Sequence, residues 1–352
     1  MSGFSNMAHP TSIAELPEGV VNPGAPDRPE LSVIVVTPDN YDTIRNLVNA
    51  LRAQTARRSL ELLIVVPQAE SLRAEASDLE CFWNWRIVEL GALQTVAHAK
   101  SVGIRHASAP IVVLTEDHSL PEPQWARALI DAHRQGWAAV GPAIENGNPQ
   151  SLISWADFFI GYGQWFDPSA AGEVDSLPGH NTSYKLEVLL KFGDRLEKLL
   201  GAEHNFHQEL RARGYRLYLE TGARTFHSNF SQIKRWVPYV CYSGRVYAAE
   251  RGRSWSPFRR IVYSAGAFLI PLVRLKRLVA TVRRARPDLL PNLFLPLTFA
   301  LIIDAAGQWL GYTFGGGKAA NQLVELEFHR ITNSSVPDSR ANRSATVVQQ
   351  QP

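Results

Sequence analysis

The hydrophobic pattern becomes regular at Leu31-Ser-Val-Ile-Val-Val-Thr37, a β-branched run of the kind buried on both faces of a parallel sheet. Pro38-Asp39-Asn40 breaks it. From Asp42 to Gln54 apolar residues recur at Ile44, Leu47, Val48 and Leu51, the spacing of one helix face. Further strand-like runs at Leu60–Val66, Trp85–Leu90, Ile111–Leu114 and Trp137–Gly141 are interleaved with helical patterns at Thr95–Ala107 and Pro123–Gln135. This alternation predicts an α/β fold, a parallel sheet with helices on both faces. Past Gly141 the pattern loosens. Ser151–Trp165 reads as an aromatic helix, and Leu177-Pro-Gly-His-Asn-Thr-Ser183 as a polar turn leading into a helix from Lys185. Gly201–Arg213 reads as a helix, Tyr215–Glu220 alternates like a strand, and a long helical stretch follows His227.

The strand at Ile111–Leu114 runs into Glu116-Asp117-His118, and Ser119-Leu-Pro-Glu-Pro123 then reads as a proline turn. Acids and an imidazole thus stand at the carboxyl edge of the sheet, where open α/β sheets hold ligands. Hard oxygens with one nitrogen suit a divalent ion that carries a diphosphate. The plainer reading is that the acids cap the next helix.

Composition narrows the classes. A length of 352 residues allows one large domain with appendages or two modest ones. A net charge of +3 lacks the dense basic face of a nucleic-acid binder, so no nucleic-acid partner is expected. Cys81 and Cys241 make neither a disulfide framework nor a zinc site and fit a reducing cytosol. Residues 1–30, rich in Pro, Gly, Ala and Ser, read as a disordered leader without signal-peptide character, and residues 331–352 as a disordered tail.

Four segments together resemble family-2 glycosyltransferases, which are inverting enzymes of the GT-A fold. They are the Val-Ile-Val-Val-Thr-Pro strand with its helix and Gln54-Thr55, Leu114-Thr-Glu-Asp-His118, Pro178-Gly-His-Asn-Thr-Ser-Tyr-Lys185, and Gly201-Ala-Glu-His204 with Gly214-Tyr215. The resemblance covers about Leu31–Glu250, with a weaker echo to Gly317. It implies a mixed sheet flanked by helices and a nucleotide-sugar donor bound near Thr37, Pro38, Asp39, Lys100, Glu116 and Asp117. It also implies a divalent metal, Mn2+ or Mg2+, held by Asp117, His227 and His118. Such an ion would neutralise the departing diphosphate. The family's acceptor-side Gly-X-Asn segment corresponds to Gly179, His180 and Asn181. Gln232, Arg235 and Trp236 fit the Q-x-x-R-W pattern of members that make polysaccharides, an indole offering a stacking face and a guanidinium a phosphate fork. Taken alone, His227 would be a core histidine and Trp236 an inward-packed side chain.

An inverting transfer needs a base for the acceptor hydroxyl. The family commonly has Glu-Asp where this chain has Glu203-His204, so Glu203 is the expected base and His204 the alternative. Two further departures stand out. Thr115 replaces the first acid of the Asp-X-Asp motif, and Val65-Val66-Pro67-Gln68 replaces the aspartate that usually follows the second strand. The rival reading is a catalytically silent scaffold or binding subunit of a glycan-assembly complex on the same fold.

Between Arg251 and Arg286 ten basic residues occur without an intervening acid, around the apolar stretch Ile261–Val273. A second apolar stretch, Leu289–Tyr312, carries Pro291, Pro296, Asp304 and Gln308. Basic flanks with apolar faces suit helices lying in a head-group layer. A re-entrant hairpin and a pair of helices packed on the catalytic domain are the other readings. The expected organisation is a catalytic domain over 31–250 on the cytoplasmic side and a membrane-associated helical region over 251–330. The expected acceptor is a glycan or a lipid-linked sugar at the membrane surface.

Overall fold

The computed structural model describes residues 13–15, 26–38, 40–91, 95–166, 170–201 and 203–328; of residues 13–15, Glu203, His204 and Phe328 it describes the backbone alone. The strands are β1 (Ile13–Glu15), β2 (Leu31–Val36), β3 (Leu60–Val66), β4 (Asn84–Glu89), β5 (Ile111–Thr115), β6 (Ser119–Pro121), β7 (Ala139–Asn146), β8 (Gly172–Val174), β9 (Ser183–Lys185) and β10 (Leu217–His227). The helices of the first half are α1 (Tyr41–Arg52), α2 (Ala69–Leu72), α3 (Ala76–Leu79), α4 (Val96–His106), α5 (Trp125–His133) and α6 (Leu152–Gly161). Those of the second half are α7 (Leu186–Leu190), α8 (Arg195–Leu200), α9 (Glu203–Ala212), α10 (Ile233–Arg251), α11 (Pro257–Gly266), α12 (Ile270–Ala285), α13 (Leu290–Phe314) and α14 (Ala319–Phe328).

The apolar runs Leu31–Val36, Leu60–Val66 and Ile111–Thr115 are buried along their whole length and form the centre of the sheet. Its order is β1-β4-β3-β2-β5-β9-β7-β10-β6, with β8 on β10. Strands β4, β3, β2 and β5 run parallel, as does the β7–β10 pair. The sheet is nevertheless mixed, because β9 inserts antiparallel between β5 and β7 and β6 pairs antiparallel with β10. The turn expected after His118 is therefore a short strand, and the helix expected from Lys185 begins only after β9. The leader contributes β1, which pairs with β4. Two cores flank the sheet, one under α1 and α5 and one under α4 and α7–α9.

Strand β10 tracks β7 from Leu217↔Ala139 to Glu220↔Pro142 and resumes at Arg224↔Ala143, so Thr221, Gly222 and Ala223 bulge out of register. An odd excursion reverses which face alternate residues occupy. Leu217 and Leu219 accordingly pack into the core beneath α9, whereas Ala223 packs into the opposite core.

The carboxyl-terminal helices pack on a third core that includes Trp155, Phe158, Phe230, Trp236 and Leu297. Helix α13 lies so close to α10 that a methyl group at Gly307 would collide with the Cys241 carbonyl oxygen, and one at Gly311 with that of Arg245. Small residues are what allow two helix backbones to approach this closely. We expect Gly307→Ala to lower stability by about 1–3 kcal/mol in urea denaturation. Gly266→Ala, where an added carbon meets nothing within 4 Å, serves as the control and should shift the midpoint far less.

Candidate functional site

Four elements meet where β5 ends. Glu116, Asp117 and His118 form the link from β5 to β6. The β6–β10 pairing sets Ser119 opposite His227, so His227 returns beside His118 from 109 positions along the chain. The β7–β10 register sets Asn146 next to His227. The segment entering β9 brings in His180 and Asn181, fixed by the Asn181 N–H donating to the Leu114 carbonyl at 2.6 Å. Asn181 holds a left-handed backbone (φ 55°), which asparagine tolerates better than most residues.

Hydrogen bonding dictates the state of two imidazoles. His118 Nδ1 lies 2.6 Å from the Asp117 carboxylate, an acceptor only, so Nδ1 carries the proton. Asn229 donates its amide nitrogen to Asn146 Oδ1 (3.1 Å) and to the His227 carbonyl (3.0 Å). Its Oδ1 is left to accept from His227 Nδ1 at 2.9 Å. Both rings therefore turn Nε2 inward, where the two nitrogens stand 3.1 Å apart. Glu116 Oε2 lies 3.4 Å from the first and 3.6 Å from the second, and 3.9 Å from His180 Nδ1. One carboxylate and two imidazole nitrogens converge on a single point, a donor set that suits a divalent cation. Ligand atoms about 2.1 Å from one ion stand about 3–3.5 Å from each other, close to the spacing here.

Glu116, His180 and His227 each offer a ligand atom, all within 4.8 Å of one another. Burial pushes the Glu116 carboxyl upward, but His180, His227 and His118 outweigh it and hold the group well below the usual carboxylate range. The His180 and His227 rings stack at 4.7 Å, and Tyr162, at the end of α6, covers both at 4.7 and 4.4 Å. His207, one turn into α9, joins the Tyr184 hydroxyl at 2.9 Å and accepts from the Leu177 N–H at 3.4 Å. These contacts tie the start of α9, where Glu203 and His204 stand, to the segment that carries His180.

The structure sorts the residues singled out from the sequence. Glu116, His118 and His227 converge directly, and Asp117 reaches them through His118. His180 and Asn181, expected on the acceptor side, stand against the same cluster. Thr115, in place of an acid, is buried and donates to the Ile34 carbonyl at 2.9 Å, so it serves the strand rather than the cleft. Thr37 and Lys100 are buried, Pro38 is half-buried and Gly179 is half-buried. Asp39 lies outside the described residues, as do the side chains of Glu203 and His204.

The Q-x-x-R-W group does not join the cluster. Trp236 is a core residue, 1% exposed, and its indole N–H donates to Asp157 at 2.9 Å, which removes it as a stacking platform. Arg235 donates to the Leu326 carbonyl of α14 at 3.5 Å, and Gln232 precedes the first turn of α10. Sequence reasoning missed Tyr162, Asn146 and Asn229. The His-Ser-Asn spacing was the one available signal for Asn229, whereas the other two depend on strand order.

Residues 32–192 match the model of the family described as Glycosyl transferase family 2. Among solved structures, the chain is similar to GalNAc-T7 with UDP, GalNAc and Mn2+, at 12% identity and a TM-score of 0.44. That match covers 57% of this chain and 44% of the other, so the chain spans less than half of that protein's length. It is also similar to the mannosyltransferase PcManGT from Pyrobaculum calidifontis in complex with GDP-Man and Mn2+ (18% identity, 85% and 79% covered, TM-score 0.45). A third similar structure is TarS 1–349 of S. aureus in complex with UDP (19% identity, 81% and 92% covered, TM-score 0.41). No curated protein sequence matches the chain.

Proposed function

We infer from residues 32–192, a glycosyltransferase family 2 domain, that the protein is an inverting, metal-dependent transferase acting on a glycan or lipid-linked acceptor at a membrane. The observation that carries this reading is the convergence of Glu116, His118 and His227 on one point at the end of β5. A divalent cation bound there would neutralise the diphosphate of a leaving nucleotide. One carboxylate among imidazoles favours a first-row transition ion such as manganese over magnesium, which prefers oxygen and water.

The chain's own residues would do the rest. Asp117 and Asn229 fix the two imidazoles, and Tyr162 shields them from water. Asn181 brings a buried amide oxygen with no donor among the described residues, a place for a sugar hydroxyl. Glu203, at the amino end of α9, would take the proton from the acceptor hydroxyl as its oxygen attacks C1 from the face opposite the leaving group. His204 stands beside it as the alternative base. Polysaccharide or glycolipid assembly on the cytoplasmic side of the membrane is the setting this reading implies.

The test is a panel of nucleotide sugars with and without manganese or magnesium, scored by thermal midpoint and by release of nucleoside diphosphate. Binding to the native state raises the midpoint by mass action. We expect one donor to raise it in manganese only, with slow nucleotide release. No shift with any donor in either metal would reject a donor-binding role. A shift without turnover on any acceptor would favour the silent-scaffold reading.

A further inference from the structure

Residues Pro287–Phe314 are long and apolar enough to cross a bilayer, yet the contacts of α13 argue against a span. Helices α12 and α13 form a hairpin that turns at Pro287–Leu289. Arg274 of α12 pairs with Asp304 of α13 at 2.6 Å, and Gln308 donates to the same carboxylate at 2.8 Å. Farther from the turn, the Ser264 hydroxyl of α11 meets that of Thr313 at 2.7 Å, and Arg260 donates to the Tyr312 carbonyl at 2.9 Å. Helices α12 and α11 thus accompany α13 from its first turn to its last. If α13 crossed a bilayer, Arg274, Lys276 and Arg277 would descend beside it. Each cation near the bilayer centre costs about 2.5–3.5 kcal/mol or more. The close Gly307 and Gly311 contacts would also draw in α10, which bears Arg245 and Glu250.

The outer surface of these helices has the opposite character. Phe258, Ile261, Phe268, Leu269, Leu272 and Leu295 are each at least 62% exposed. Around them Arg253, Arg259, Lys276, Arg277, Arg283 and Arg284 are exposed as well. On α12 the exposed face passes from Leu272 and Val273 to Lys276, Arg277, Arg283 and Arg284 over about three and a half turns. Apolar side chains rimmed by cations match an anionic lipid monolayer, with the rings entering the acyl boundary and the guanidinium groups at the phosphates.

We propose that α11–α13 form a monotopic anchor. The hairpin lies flat in the head-group layer of an anionic membrane, and residues on either side of it remain on the side of the catalytic domain. This rests on the membrane-association reading above and fixes its topology.

The test uses the full-length chain and vesicles of phosphatidylcholine with or without phosphatidylglycerol. We expect co-sedimentation with the anionic vesicles and binding at least about ten-fold weaker to neutral ones. Leu272→Glu with Phe268→Glu should weaken binding by a similar factor at an unchanged thermal midpoint. A Lys318→Cys chain, with Cys81 and Cys241 changed to serine, is then bound to vesicles and exposed to an impermeant maleimide. Labelling equal to that in detergent supports the flat hairpin. Protection of the Lys318→Cys thiol with binding intact overturns the topology alone. Absence of binding to either vesicle overturns membrane association itself, and a dimer that loses the apolar face to a second copy overturns the lipid assignment.

Discussion

Glu116→Ala is expected to reduce sugar transfer by about a hundred- to a thousand-fold, the range seen when one fixed electrostatic partner of a developing charge is lost, and to remove the manganese-dependent rise in thermal midpoint. His227→Ala should do the same, because its Nε2 stands 3.1 Å from His118 and 3.6 Å from Glu116. Asp117→Asn should behave differently. Its carboxylate touches His118 Nδ1 and orients the ring, so its loss should weaken manganese binding by about 10–100-fold while saturating metal restores most of the rate. Calorimetric titration of manganese together with rate measurements over metal concentration separates the two outcomes. If Glu116→Ala keeps wild-type manganese affinity, the convergent lone pairs hold a proton rather than a metal.

Glu61→Ala is expected to cost about 3–5 kcal/mol of folding stability. Glu61 is fully buried on β3. It accepts from Ser32 Oγ (2.5 Å), from the Ser108 N–H and hydroxyl (2.8 Å each) and from Arg86. These bonds join β2, β3, β4 and the entry to β5 at the edge of the sheet away from the cation cluster. Removing the carboxylate strands Arg86, which is itself largely buried. Burial pushes the Glu61 carboxyl upward, but the hydrogen bonds from Ser32, Ser108 and Arg86 outweigh it and leave the group below its ordinary value. A carboxyl lowered by folding adds stability above its unfolded pKa, about 4.3, and that stability is lost as pH falls through the folded value. Urea denaturation from pH 7 down to pH 3 should therefore show a steeper acid decline in wild type than in Glu61→Gln. Parallel declines would place the acid sensitivity elsewhere.

What could be read from the sequence follows the length of the apolar runs. Leu31–Val36, Leu60–Val66 and Ile111–Thr115 are continuous and buried from end to end, so composition alone identifies them as central strands. Strands β6 and β9 are three residues each, and nothing in Ser-Leu-Pro or Ser-Tyr-Lys marks them. Yet β6 brings His227 to His118 and β9 carries in His180, so the chemistry could be named as a residue list but not assembled. Long-range partners also changed the meaning of single residues. Trp236 looked like a sugar platform until Asp157 claimed its N–H. Asp304 and Gln308 weighed against an apolar helix, but Arg274 neutralises the acid and Gln308 bonds to it.

The excursion at Thr221, Gly222 and Ala223 bears on how related chains can drift in length. The side a strand residue faces is set by the partner it pairs with, so His227 keeps its aim as long as it pairs with Asn146. An extra residue confined to the excursion leaves that pairing alone. A one-residue slip of the pairing beyond Arg224 would instead carry His227 to the far side while Leu217 and Leu219 keep their seats. Length drift is therefore tolerable at this corner, and slippage of the strand past it is not.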